Sequence, residues 1–165
     1  MTDIQILATG SAFVKKGLRG TKPVIDEILK SAKREIHMLA YKFGNDDDLW
    51  DLLENKLETG IQLTIIVSMM EQIPEVKKKL YSLSERFGKN NFNLFDFENP
   101  EGGLLHAKVI VVDRNKAVVG SANFSLGGMK NHYELGVLIT GSHAWKLAEV
   151  VEILSEEKRL TKRIR

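Results

Sequence analysis

The chain has 165 residues, 43% of them hydrophobic and 28% charged, and carries a formal net charge of +2. These proportions exclude a disordered or fibrous polypeptide and suit one soluble α/β domain spanning 1–165. No apolar run approaches the roughly 18 residues of a membrane span, so no stable membrane association is expected. The absence of cysteine excludes disulfides and thiolate metal sites and fits a cytoplasmic protein. The early Asp3 and the lack of a basic leader argue against a signal peptide.

In chain order, residues 4–8 read as a short apolar strand, followed by a polar, glycine-bearing segment over 9–20. Thr21 is placed to cap a helix with Pro23 in its first turn, running to residue 34 with Val24, Ile25, Ile28 and Leu29 on one face. Residues 35–41 read as a buried strand. Asn45, Asp46 and Asp47 offer caps and first-turn acids for a helix carrying Leu49, Trp50, Leu52, Leu53 and Leu57, which Gly60 ends. A β-branched strand over 62–68 and a basic helix over 74–88 come next. In the strand over 91–97, Phe92, Leu94 and Asp96 face one way and Asn93, Phe95 and Phe97 the other.

After a turn-rich break over 99–103, residues 104–112 and 116–119 read as two strands joined at Asp113, Arg114 and Asn115. A strand over 133–140 and a final helix from Ser142 to about residue 160 complete the reading. The alternation predicts a mixed, largely parallel sheet with helices on both faces. Basic clusters at Lys15, Lys16, Arg19 and Lys22, at Lys77 to Lys79, and in the C-terminal KRLTKRIR suit a polyanionic partner, although charge runs are ordinarily solvated faces or tails.

The densest chemistry lies between His106 and Glu134. His106 and Lys108 alternate, an apolar run leads to Asp113, and Gly120-Ser121-Ala122-Asn123 follows, giving H-x-K-x4-D-x6-G-S-x-N. In a strand, residues i and i+2 share a face, so His106 and Lys108 would project together while Ala107 and Val109 enter the core. A nucleophilic imidazole beside a fixed ammonium suits attack on a phosphodiester. Asn123 can donate its amide to the same phosphate. Gly120 and Ser121 form a small-residue turn that brings backbone and hydroxyl close, and Ser125 can add another hydroxyl. A lone histidine is ordinarily just packed or solvated; the joint pattern carries the reading. Asp113 sits at the turn and reads as structural. His37 reads as a core or edge residue and His143 as helix surface; His132, two before Glu134, could reach the same side of the site, with a place outside it the ordinary expectation. Phe124 and Tyr133 are the aromatics beside the motif that could stack on a base, with core packing the ordinary expectation for each. Four histidines without cysteine or a ligand-spaced acid cluster point to no metal and no cofactor.

The pattern resembles the HKD motif of the phospholipase D superfamily. The resemblance implies metal-independent phosphodiester cleavage through a phosphohistidine on His106. Lys108 and Asn123, with Ser121 and Ser125, are then phosphate ligands. Glu134 matches the acid that orients the histidine, and Ser121 would link Glu134 to the site. Most members carry two motifs and this chain has one: His37, His132 and His143 are not followed by x-K. The economical answer is a twofold homodimer that brings two His106 residues face to face. Single-motif members are similar to bacterial endonucleases, which makes nucleic acid, DNA ahead of RNA, the expected partner. The alternatives are a phospholipase or phosphatidyltransferase, and a binding module without turnover.

Overall fold

Strand-forming segments rich in β-branched residues dictate the centre of the fold. The computed structural model describes residues 3–164, and their strands form one nine-stranded sheet in the order β2-β1-β8-β7-β6-β3-β4-β5-β9. The strands are β1 (Ile4–Thr9), β2 (Arg19–Gly20), β3 (Glu35–Ala40), β4 (Gln62–Val67), β5 (Phe92–Phe97), β6 (Val109–Val112), β7 (Lys116–Gly120), β8 (Glu134–Thr140) and β9 (Thr161–Ile164). The largely buried β3, β4 and β6 occupy the middle, where a strand is covered on both faces. The mixed α/β class stands, but the balance within it differs from the prediction. Pairings β1·β2, β3·β4 and β4·β5 are parallel, and the other five are antiparallel. The cause is β6, which runs against β3 and starts an antiparallel block through β7 and β8 to β1.

Helices cover both faces. Short α1 (Ser11–Val14) follows β1, and α2 (Thr21–Lys30), α3 (Asp47–Glu58) and α4 (Pro74–Phe87) share one core. In that core Val24, Ile28, Leu53 and Leu80 join Ile36, Met38, Ile65 and Ile110. On the opposite face α5 (Ser142–Glu156) lays Ala144, Ala148 and Val151 against Leu39, Ile66, Val109, Val111 and Ala117. The small alanines let the helix approach the sheet closely. The alternation predicted for β5 is present, with Phe92, Leu94 and Asp96 buried.

Several predicted boundaries move. The strand expected from residue 104 begins only at Val109, because the β3 ladder that supports it ends at the pair Leu39–Val109. Helix α2 stops at Lys30, and its N-cap is Gly20, with Thr21 already helical. The basic C-terminal segment read as tail contributes β9, antiparallel to β5. No helix among the described residues is long and apolar enough to cross a membrane.

Candidate functional site

The topology brings the C-terminal ends of β1, β3, β4 and β7 and the N-terminal ends of β6 and β8 to a single rim. Ligands of open α/β sheets bind at such carboxyl edges. His106 lies on the extended approach to β6 and is exposed, its ring packed against that of Tyr41 with centroids 4.4 Å apart. Lys108 directly precedes β6 and is only 5% exposed. Its Nζ donates to His106 Nδ1 at 2.9 Å and to the His106 carbonyl at 2.7 Å, and sits 5.1 Å from the Tyr41 ring centroid. The Gly120 N–H donates to the Lys108 carbonyl at 3.2 Å, tying the two halves of the motif together. A Cβ at Gly120 would stand 2.8 Å from the Leu135 carbonyl oxygen, so the turn requires glycine.

Burial holds the Lys108 ammonium below its ordinary pKa, and the opposing charge of Glu134 offsets part of that shift. Glu134 opens β8 opposite Thr9. Its carboxylate accepts the Ser121 hydroxyl, and His132 Nδ1 stands 3.7 Å from its other oxygen. Ser121 Oγ in turn accepts the Leu135 N–H at 3.2 Å, which fixes the hydroxyl between strand and carboxylate. Asn123 carries a buried side-chain oxygen with no partner. Such an orphan is an available polar contact at a site, since buried polar groups are otherwise nearly always paired. Ser125 Oγ accepts the Gly128 N–H at 3.3 Å and so braces the π-helical turn Gly127–Asn131.

His106, Lys108, Gly120, Ser121 and Glu134 thus gather at one rim, with Asn123 in the segment leaving β7. The expected link from Ser121 to Glu134 is formed. Among the described residues no hydrogen bond joins Glu134 to His106; the imidazole pairs with Lys108 instead. Ala107, expected in the core, is exposed because the segment has left the ladder. Asp113 lies at the far end of β6, where its carboxylate accepts the N–H groups of Lys33, Arg34 and Glu35, which is a structural role. One neighbour escaped the sequence reading. Tyr41, the last residue of a predicted strand, gave no sign that its ring meets His106. His132, whose i, i+2 spacing to Glu134 gave it the lesser expectation of reaching the site, does stand beside that carboxylate. Phe124 is core, 2% exposed and stacked near Phe43, whereas Tyr133 is 61% exposed.

Residues 25–156 match the family model described as "Cardiolipin synthase, PLD-like domain". The chain is 30% identical over 156 residues to DISARM protein DrmC of Bacillus paralicheniformis, covering 94% of this chain and 63% of that one. It is 24% identical over 139 residues to cardiolipin synthase A of Buchnera aphidicola, covering 84% of this chain and 27% of that one. The chain therefore spans less than two thirds of these curated relatives. Its fold is similar to that of Nuc, a phospholipase D family member from Salmonella typhimurium, with a TM-score of 0.74, 23% identity, and coverage of 100% of this chain and 99% of that one.

Proposed function

Since the chain belongs to the phospholipase D superfamily through the domain over residues 25–156, we propose that it is a metal-independent endonuclease acting in the cytoplasm. The observation that carries this reading is the buried Lys108 ammonium within 2.9 Å of the exposed His106 imidazole. Burying an ammonium costs several kcal/mol unless it is compensated, and an incoming phosphate supplies that compensation. On this reading the phosphate oxygens take over the Lys108 donors and free the ring nitrogen to attack. A P–N bond forms as the P–O bond to the leaving alcohol breaks. Lys108 neutralises the non-bridging oxygens and the Asn123 amide donates an N–H to them, with Ser121 and Ser125 adding hydroxyl contacts. Glu134, held by Ser121, supplies the negative charge that favours the imidazolium.

The leaving oxygen needs a proton, and the chain has one H-x-K. We assign that proton to His106 of a second copy, which then deprotonates the water that attacks phosphorus, breaking the P–N bond and releasing the first His106. An uncovered apolar strip supports self-association: Ile4, Ile6 and Leu135 are exposed on the sheet face that carries α5, where Val150 and Ile153 are exposed as well. Specific activity should therefore fall on dilution in step with the dimer population measured by sedimentation. Full activity in monomers would sink the shared site.

Cleavage of labelled single- and double-stranded DNA and RNA in excess EDTA is the test of the reading. Metal-independent cleavage at the rate seen with added Mg²⁺ is expected, and a rate that collapses with chelator would remove the proposed chemistry. Likeness to cardiolipin synthases gives the second reading, phosphatidyl transfer on phospholipid. Anionic phospholipid vesicles belong in the same assay, where turnover of lipid alone would favour it.

A further inference from the structure

We propose that the exposed ring of Tyr133 is a stacking platform for an unpaired base of a strand that enters the site from the β1–β8 side. The inference rests on the nuclease reading and narrows its substrate to single strands. Tyr133 immediately precedes Glu134, and the β1–β8 register that pairs Thr9 with Glu134 brings Gly10 opposite it. The ring lies on the bare Gly10 backbone: a Cβ there would come within 2.6 Å of Tyr133 Cδ1, and the Gly10 φ of +113° is one that side chains rarely adopt. Phe13 meets the ring edge-on, with centroids 5.5 Å apart at 79°. The Ser11 and Tyr133 hydroxyls stand 3.4 Å apart.

These contacts hold the ring while it stays 61% exposed, so binding a base costs little side-chain entropy. A base in a duplex is already stacked on both faces; only an unpaired one can use such a surface. Charge along the rim favours the same approach. Exposed Lys15 and Lys16 follow Phe13 in the chain. A polyanion is drawn to these lysines.

The experiment measures binding of labelled single-stranded and duplex DNA in a His106→Ala background, which separates affinity from turnover, with and without Tyr133→Ala and Tyr133→Phe. Sedimentation of each variant is recorded alongside. Tyr133→Ala should weaken single-strand binding about 5- to 100-fold, the range of one base stack, and duplex binding far less. Tyr133→Phe should restore it, because stacking uses the ring and not the hydroxyl. An equal loss on both substrates, no loss, or a loss accompanied by a change in sedimentation would overturn the platform. The last outcome would make Tyr133 a contact between copies, continuous with Leu135. Wild-type protein that neither binds nor cuts nucleic acid would overturn the nuclease reading and the platform together; wild-type binding insensitive to Tyr133 overturns the platform alone.

Discussion

If His106 is the proposed nucleophile, replacing it by alanine is expected to lower kcat/KM by on the order of 10⁴-fold or more, because the proposed covalent intermediate can then not form. The fold should be nearly untouched. His106 is exposed on a segment outside the ladder, and its ring meets Tyr41 and the Lys108 ammonium near the surface, so thermal unfolding should shift by no more than about 2 °C. Lys108→Met provides the companion measurement. A buried ammonium without a carboxylate hydrogen-bonded to it burdens the folded state, so an apolar side chain of similar volume should leave stability equal or higher. Its kcat should nonetheless fall about 10²-fold or more, as for the loss of one oxyanion ligand. A residue that costs stability and is needed for turnover is one the fold retains for chemistry. A His106→Ala rate within tenfold of wild type would remove the covalent mechanism.

What the sequence disclosed followed the range of the interaction. The H-x-K alternation and the G-S-x-N turn are local, so their joint presence at the end of β6 and β7 could be read from spacing. Period-two alternation in β5 was equally local. Sheet order was not, because β8 pairs with β1 across more than a hundred residues of chain and no local pattern encodes that partner. The same limit hid Tyr41, brought to His106 by the β3–β6 pairing, and concealed β9, whose charged side chains are ordinary for an edge strand but resemble a solvated tail. Ala107 was misassigned for a related reason. Alternation predicts facing only while a ladder continues, and the ladder starts at Val109. Tyr133 follows the opposite logic: an aromatic beside a strand is expected in the core, and here it caps an uncovered sheet face at the site.

Asp113 is the motif residue whose loss should cost the most stability. It adopts φ +51°, followed by Arg114 at +56°, and so shapes the turn between β6 and β7. Its carboxylate accepts backbone N–H groups of Lys33 at 2.9 Å, Arg34 at 2.8 Å and Glu35 at 3.0 Å, clamping the start of β3 to the end of β6. Bonds to a charged acceptor contribute about 1.5–3 kcal/mol each, but these share one carboxylate partly open to solvent, so Asp113→Ala should cost about 2–4 kcal/mol in all. Chemical denaturation at neutral pH measures that loss; a cost under about 0.5 kcal/mol would refute the clamp. The pH dependence follows from the same geometry. Partial burial pushes the Asp113 carboxyl up, but the three N–H donors and the Arg34 charge outweigh it and hold the group below the usual carboxylate range. A depressed carboxylate contributes its stability above the unfolded value near 3.9 and loses it as pH falls through the folded one. The difference in stability between wild type and Asp113→Ala should therefore be constant from neutral pH down to about pH 5 and close below about pH 4. The rim that carries His106 and Lys108 lies at the other end of β6, so Asp113→Asn, which keeps an acceptor, should recover part of the stability and most of the turnover. That separates the third letter of the motif from the chemistry of the first two.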